Sequence, residues 1–247
     1  MRRFICILLP LFYSLCSISQ EAEFDDTQLF YRREIAGGIL FHTSGWGLNF
    51  RYTKRIDGFR RWIFTADFMT QKHPKEVKID SPLKSYKSYV LGKINYFDYL
   101  HPAIGREKIM FKKELKNGVQ ISRHWVIGPS LGIKKPVYLI VGYPNINDAQ
   151  SREYIEPYDP QKHTQDKIYG RASYLFGLRD LTIVLGLHAK FGLTFEYAPL
   201  DEMIRSIETG ISIDAFPKPV EMMAFTENKQ IFLNYYLTFN IGKKYIE

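Results

Sequence analysis

The sequence predicts an all-β protein, an antiparallel up-and-down transmembrane β-barrel of about ten strands, with eight as the alternative count, after an N-terminal signal peptide. Three observations predict it. Apolar and polar residues alternate over runs of ten or more residues, longer than the five or six usual in soluble strands and matching the 9–11 of a tilted membrane strand. The connections between these runs alternate short and long, the habit of outer-membrane barrels. After residue 19 no window holds eighteen consecutive apolar residues, so no transmembrane helix is expected.

The first element is the export signal, residues 1–19. Arg2 and Arg3 precede an apolar run over 4–15, and Ser17 and Ser19 put small residues three and one places before a cleavage ahead of Gln20. Cleavage removes 19 of 247 residues and lowers the formal net charge from +8 to +6, because two arginines leave with it. Cys6 and Cys16 are the chain's two cysteines and leave too, which excludes disulfides, thiolate zinc sites and cysteine nucleophiles from the mature chain. A composition of 45% hydrophobic and 24% charged residues excludes intrinsic disorder. Residues 20–32 read as a periplasmic segment, and 33–247 as the barrel.

Strand side chains alternate between faces with a period of two. Trp46, Leu48, Phe50 and Tyr52 share one face against Asn49 and Arg51; Trp62, Phe64, Ala66 and Phe68 oppose Thr65 and Asp67. Leu187, Ala189, Phe191, Leu193, Phe195 and Tyr197 oppose His188, Lys190, Thr194 and Glu196, and residues 204–217 and 230–243 repeat the pattern. The predicted strands are 33–43, 46–56, 59–70, 87–99, 105–115, 118–133, 136–143, 182–198, 204–217 and 230–243. The weakest are 105–115, blurred by Lys112, Lys113 and Glu114, and the short 136–143; losing that pair gives eight. With a periplasmic N-terminus, the short connections Asp57-Gly58, 100–104, 134–135 and 199–203 fall on the periplasmic side, and the long ones, 71–86, 144–181 and 218–229, fall outside. Asn117-Gly118 reads as a two-residue hairpin between the fifth and sixth strands. The loop 144–181 is rich in aromatics, so part of it is expected to fold, with a short helix around 169–177.

The signal peptide, the Gly-rich first strand Ile35-Ala36-Gly37-Gly38-Ile39 and the closing run Phe239-Asn240-Ile241-Gly242-Lys243-Lys244-Tyr245 together resemble the small outer-membrane β-barrel proteins of the Bacteroidota. The resemblance covers the architecture of residues 30–245 and implies a cell outer-membrane location. The chain departs from the pattern by ending Ile246-Glu247, which leaves Tyr245 to serve as the terminal aromatic.

Candidate chemistry is sparse. The histidines outside the signal are His42, His73, His101, His124, His163 and His188. His188 and Glu196 share a face but lie about 27 Å apart along a strand, too far for a dyad, and His42 with Ser44 lacks a third group to orient the base. Asp159, His163 and Asp166 have the spacing of a metal-binding helical turn, but Pro157 and Pro160 mark a loop. No enzyme, cofactor or metal is therefore predicted. Gly37-Gly38 lies within a strand, which excludes a phosphate-binding loop, and the cations form no interleaved patch for nucleic acid. Arg51, Asp67, Lys93, Lys190, Glu196, Glu208 and Asp214 are expected to fill a small lumen as a salt-bridged plug, against a porin. Lys72, Lys75 and Lys78 are candidate contacts for lipopolysaccharide phosphates. The expected function is a non-enzymatic structural or partner-binding barrel, such as an accessory subunit of a secretion or uptake complex, meeting outer-membrane lipid and a protein partner at its outer loops or wall. A lipid-modifying enzyme and a narrow channel or small-ligand carrier are the alternatives.

Overall fold

The computed structural model describes residues 32–81, 85–113, 118–143, 152–197 and 202–246. The expected signal peptide 1–19, Asn117 and residues 144–151 lie outside them. Thirteen strands occur among the described residues: β1 (Arg33–His42), β2 (Gly45–Arg55), β3 (Arg60–Gln71), β4 (Lys78–Ile79), β5 (Tyr89–Val90), β6 (Asn95–Phe111), β7 (Gln120–Pro136), β8 (Tyr138–Tyr143), β9 (Arg152–Pro157), β10 (Ile168–Arg171), β11 (Thr182–Glu196), β12 (Met203–Ala215) and β13 (Ile231–Tyr245). Eight of them close a barrel in the order β1-β13-β12-β11-β7-β6-β3-β2, every pair antiparallel.

The count is eight rather than ten for two local reasons. Residues 100–104 are not a turn. β6 runs straight through them, because His101-Pro102-Ala103 carries none of the Gly, Asn or Asp residues a tight reversal uses. The proline is tolerated by position. Leu100 stands opposite Leu131 and Ile104 opposite Ile127, an unchanged register that sets Pro102 against Pro129 of β7. Two residues without an N–H thus share one gap in the ladder. Residues 134–135 are not a turn either, since Lys134 and Lys135 pair with Phe97 and Tyr96. The predicted strand 136–143 exists as β8, but it continues past the barrel rim and joins β9 and β10 in a separate three-stranded sheet.

A row of cross-strand partners starting at Arg33 passes through Lys54, Trp62, Arg106, Trp125, Phe191, Ile211 and Tyr235 and returns beside Thr43, ten residues further along the first strand. That stagger tilts the strands by about 40° from the barrel axis. The turns after β2, β6 and β11, as far as their residues are described, lie at one end, here called the turn end, together with the start of β1 and the end of β13. The 43–44 turn and the described residues of the long segments 72–94, 137–181 and 216–230 lie at the other, the loop end. Asp57-Gly58 thus lies at the end opposite the long segments, as predicted, whereas 100–104 and 134–135 are not connections and Gly118 lies at the turn end.

Outward side chains make an apolar belt. Ile39, Leu48, Phe50, Ile127, Leu187, Phe191 and Leu233 are each half or more exposed, and their strand neighbours point into the lumen. Burial of this belt needs an apolar surrounding. At the loop end β8 and β10 pack a small core with β5 and the residues around it, in which Leu139, Val141 and Ile168 are fully buried with Tyr89, Val137 and Tyr158. The helix expected near 169–177 is absent. Residues 168–171 are strand and 174–179 turn, and the one helical turn among the described residues of the segment is 3₁₀ at Gln165–Lys167.

Candidate functional site

The lumen holds a continuous chain of buried charges. Glu34 of β1 meets Arg61 of β3 at 2.8 Å, and Arg61 lies 3.7 Å from Glu107 of β6. Arg51 of β2 forks, one nitrogen 2.8 Å from Glu107 and another 3.0 Å from Glu208 of β12. Lys190 of β11 then joins Glu208 at 2.9 Å to Asp67 of β3 at 3.1 Å. His124 of β7 reaches Glu208 at 3.1 Å and the hydroxyl of Tyr236 of β13 at 3.0 Å, so all eight barrel strands contribute. Ser122 donates to Glu107 and Asn49 to Asp67. Gly192 makes room for this centre, since a Cβ there would fall 2.1 Å from the Tyr236 hydroxyl.

Nearer the loop end the carboxylate of Asp214 receives two imidazoles, His101 Nε2 at 2.9 Å and His188 Nδ1 at 2.8 Å, whose rings stack 3.9 Å apart. Of the described residues only these three form a set that could hold a metal ion, and all are fully buried. Ser130 Oγ lies 3.0 Å from His101 Nε2, the same nitrogen that faces Asp214. A nucleophile relay needs serine and carboxylate on opposite ring nitrogens, so this trio is not arranged for acyl transfer.

An aromatic layer closes the lumen beyond it. Phe97, Tyr99, Phe216 and Phe232 pack edge to face and stacked with centroids 4.8–6.1 Å apart. Leu40 and Met69 pack beside them, and Val220, Met222 and Met223 of the last long segment join the same cluster. At the turn end a cavity of about 20 Å³ touches Glu34, Arg51, Arg61 and Glu196, room for about one water.

Six of the seven residues expected in the lumen face inward. Arg51, Asp67, Lys190 and Glu208 are joined in one chain, Asp214 lies in the histidine cluster, and Glu196 pairs with Lys244 near the turn end. Lys93 is the exception. The strand begins only at Asn95, after Gly92 turns the chain at φ +79°, so Lys93 sits in the loop-end segment and pairs with Glu76 at 2.7 Å. Lys72, Lys75 and Lys78 are exposed on the segment after β3. Asp159, His163 and Asp166 do not converge. Asp159 accepts the Gln161 amide and faces Lys162, while His163 accepts the Asp159 amide and lies 3.3 Å from Glu156. His42 lies 3.0 Å from the Thr70 carbonyl, which it can serve as a donor. Sequence reasoning missed Glu34, Arg61 and Glu107, which the alternating pattern of β1, β3 and β6 places on the inward face.

No protein-family model matches the chain, nor does any curated protein sequence. Among solved structures it is similar to Ail, the attachment invasion locus protein of Yersinia pestis, at 11% identity and a TM-score of 0.43, over 87% of this chain and 98% of that one. The complex of Ail with the heparin analogue sucrose octasulfate gives 10% and 0.42 with the same coverage. Neisserial surface protein A gives 11% identity and a TM-score of 0.38, over 88% of this chain and 98% of that one. The strand count and closure rest on this chain's own hydrogen-bond register. The architecture is a closed eight-stranded antiparallel β-barrel with an apolar outer wall.

Proposed function

We propose that the mature chain, exported and freed of residues 1–19, is a non-enzymatic barrel of the cell outer membrane that binds a partner with its loop-end sheet. The observation that carries this reading is the filled lumen. Arg51, Lys190 and Arg61 with their carboxylates leave no path for a solute, so recognition falls to the outer surfaces. Of these, the β8–β9–β10 sheet is the best suited, because β8 and β10 anchor it on a buried apolar core and its edge strand, β9, exposes Tyr154 and Ile155 by nearly half. A role as accessory subunit of a secretion or uptake complex is one form of this binding. Lys72, Lys75 and Lys78 are proposed to meet lipopolysaccharide phosphates beside it.

The test has two parts. The mature protein should fractionate with the outer membrane and migrate faster on gels before heating than after; release into the periplasmic fraction without detergent would overturn the membrane reading. Replacing residues 138–181 with a short Gly-Ser turn should keep the heat-modifiable band and abolish recovery of native partners in mild detergent. A folded variant that retains every partner would remove the sheet as the interface.

A further inference from the structure

On the outer wall at the turn end, cations and tryptophans interleave across three adjacent strands. Arg60 of β3, Lys108 of β6 and Arg123 of β7 are direct cross-strand partners, and one step toward the loop end Trp62, Arg106 and Trp125 form a second row. All six point outward, on the face that carries Phe64, Ile104 and Ile127. The Arg106 guanidinium lies 4.5 Å from the Trp62 ring centre. A groove of about 350 Å³ runs between the rows, walled by Arg60, Arg106, Lys108, Arg123, Trp125 and Phe191. Arg60 has a carboxylate at 3.6 Å, Asp57. Among the described residues none pairs with Arg106, Lys108 or Arg123.

Depth makes those unpaired charges informative. The outward cations Arg205 and Lys243 belong to the same end, where Met203 pairs with Lys243 at the start of β12. Because the strands tilt, Arg106 and Arg123 sit roughly 6 Å further into the wall than those two. An arginine on a lipid-facing wall is costly at mid-depth and costs little near the interface. At this margin a guanidinium is accommodated when a lipid phosphate comes to it. The planar fork of arginine suits two phosphate oxygens, and indole rings favour the headgroup level. The first leaflet met from the turn end is phospholipid if the outer-membrane reading holds, and the inference rests on that reading.

We propose that this notch is a binding site for one anionic phospholipid, its phosphate held by Arg106 and Arg123 between Trp62 and Trp125, with Lys108 and Arg60 beneath.

The experiment folds the mature barrel into vesicles of phosphatidylcholine mixed with phosphatidylglycerol of the same chains, extracts it mildly and counts retained lipid by native mass spectrometry. The wild type should retain phosphatidylglycerol about fivefold over its share of the mixture. Arg106→Gln with Arg123→Gln should erase that enrichment, whereas Arg205→Gln with Lys243→Gln, which removes equal charge from the same end, should keep it. Equal loss in both pairs would mean a uniform cationic rim and would overturn the site, as would a wild type without enrichment. If the glutamine pair does not fold, Arg106→Lys with Arg123→Lys keeps the charge and loses the forks, and it should at least halve the enrichment; no change would overturn the assignment to the arginines. A barrel that gains neither heat-modifiable migration nor protease protection in any vesicle would bring down the membrane reading itself, a result distinct from a folded barrel that selects no lipid.

Discussion

Arg51 reaches Glu107 with one arm of its guanidinium and Glu208 with the other, and each of these carboxylates has a second cation within 4 Å. Every ion is buried, so its worth lies in the partners it keeps satisfied. Removing one member of such a set strands the rest at a cost of about 3–5 kcal/mol. Arg51→Met is therefore expected to destabilise the barrel by that amount in urea titrations of bilayer-folded protein, and Arg51→Lys by less, since an ammonium keeps the charge although it cannot fork. A Met variant as stable as wild type would show that the chain does not hold the strands. His73 illustrates a different residue-level effect, outside the barrel. Burial holds its pKa below the usual 6.5, against the opposing pull of Glu76, and its neutral Nδ1 accepts the Lys75 amide at 3.2 Å. The opened loop thus binds a proton more readily than the folded one, and the contribution of His73 shrinks as pH falls through the ordinary histidine value. Amide exchange over residues 73–76, corrected for intrinsic rate, should accelerate from about pH 7 to about pH 5, and His73→Gln should flatten that dependence.

The three-stranded loop-end sheet packs on an apolar core apart from the aromatic cluster of the lumen, shared with Tyr89 of β5. Val141 and Ile168 are fully enclosed by it and lie outside the barrel ladder. A charge there should open the sheet and spare the barrel: Val141→Asp is expected to make residues 138–171 sensitive to protease while the heat-modifiable band persists. Loss of both together would show one cooperative unit. This sheet also marks where sequence pattern stops being informative. Alternation over 136–143 announces a strand but not its partner, because register and pairing depend on residues far away in the chain. At 100–104 a short connection was expected, although an outward proline facing another proline leaves the strand whole. The long runs 46–56, 182–198 and 204–217 were legible to within two or three residues, since one wall faces an apolar surrounding and the other a polar one. For the lumen the sequence suggests inward-facing charges that pair, but not which residue pairs with which. His101, His188 and Asp214 come from three strands, and nothing in their spacing brings them together until the barrel closes.

At the scale of the molecule, two chemically different layers close the lumen in series. The ionic chain spans the barrel around Arg51, Glu208 and Lys190, and the aromatic layer of Phe97, Tyr99, Phe216 and Phe232 lies beyond the histidine pair. An eight-stranded barrel is just wide enough for its own side chains, so either layer alone interrupts the water path. Channel recordings of the wild type should therefore show no conductance above the bare bilayer. Phe97→Ala with Phe216→Ala removes packing from the aromatic layer only, and Asp67→Ala with Lys190→Ala removes a neutral pair from the ionic layer only. Each variant, once its heat-modifiable folding is verified, should remain closed. The four changes combined are expected to leak, because water then meets no complete layer along the axis. Conductance through the aromatic variant alone would show that the charged layer passes ions rather than blocking them, and the lumen would then have to be read as a gated path.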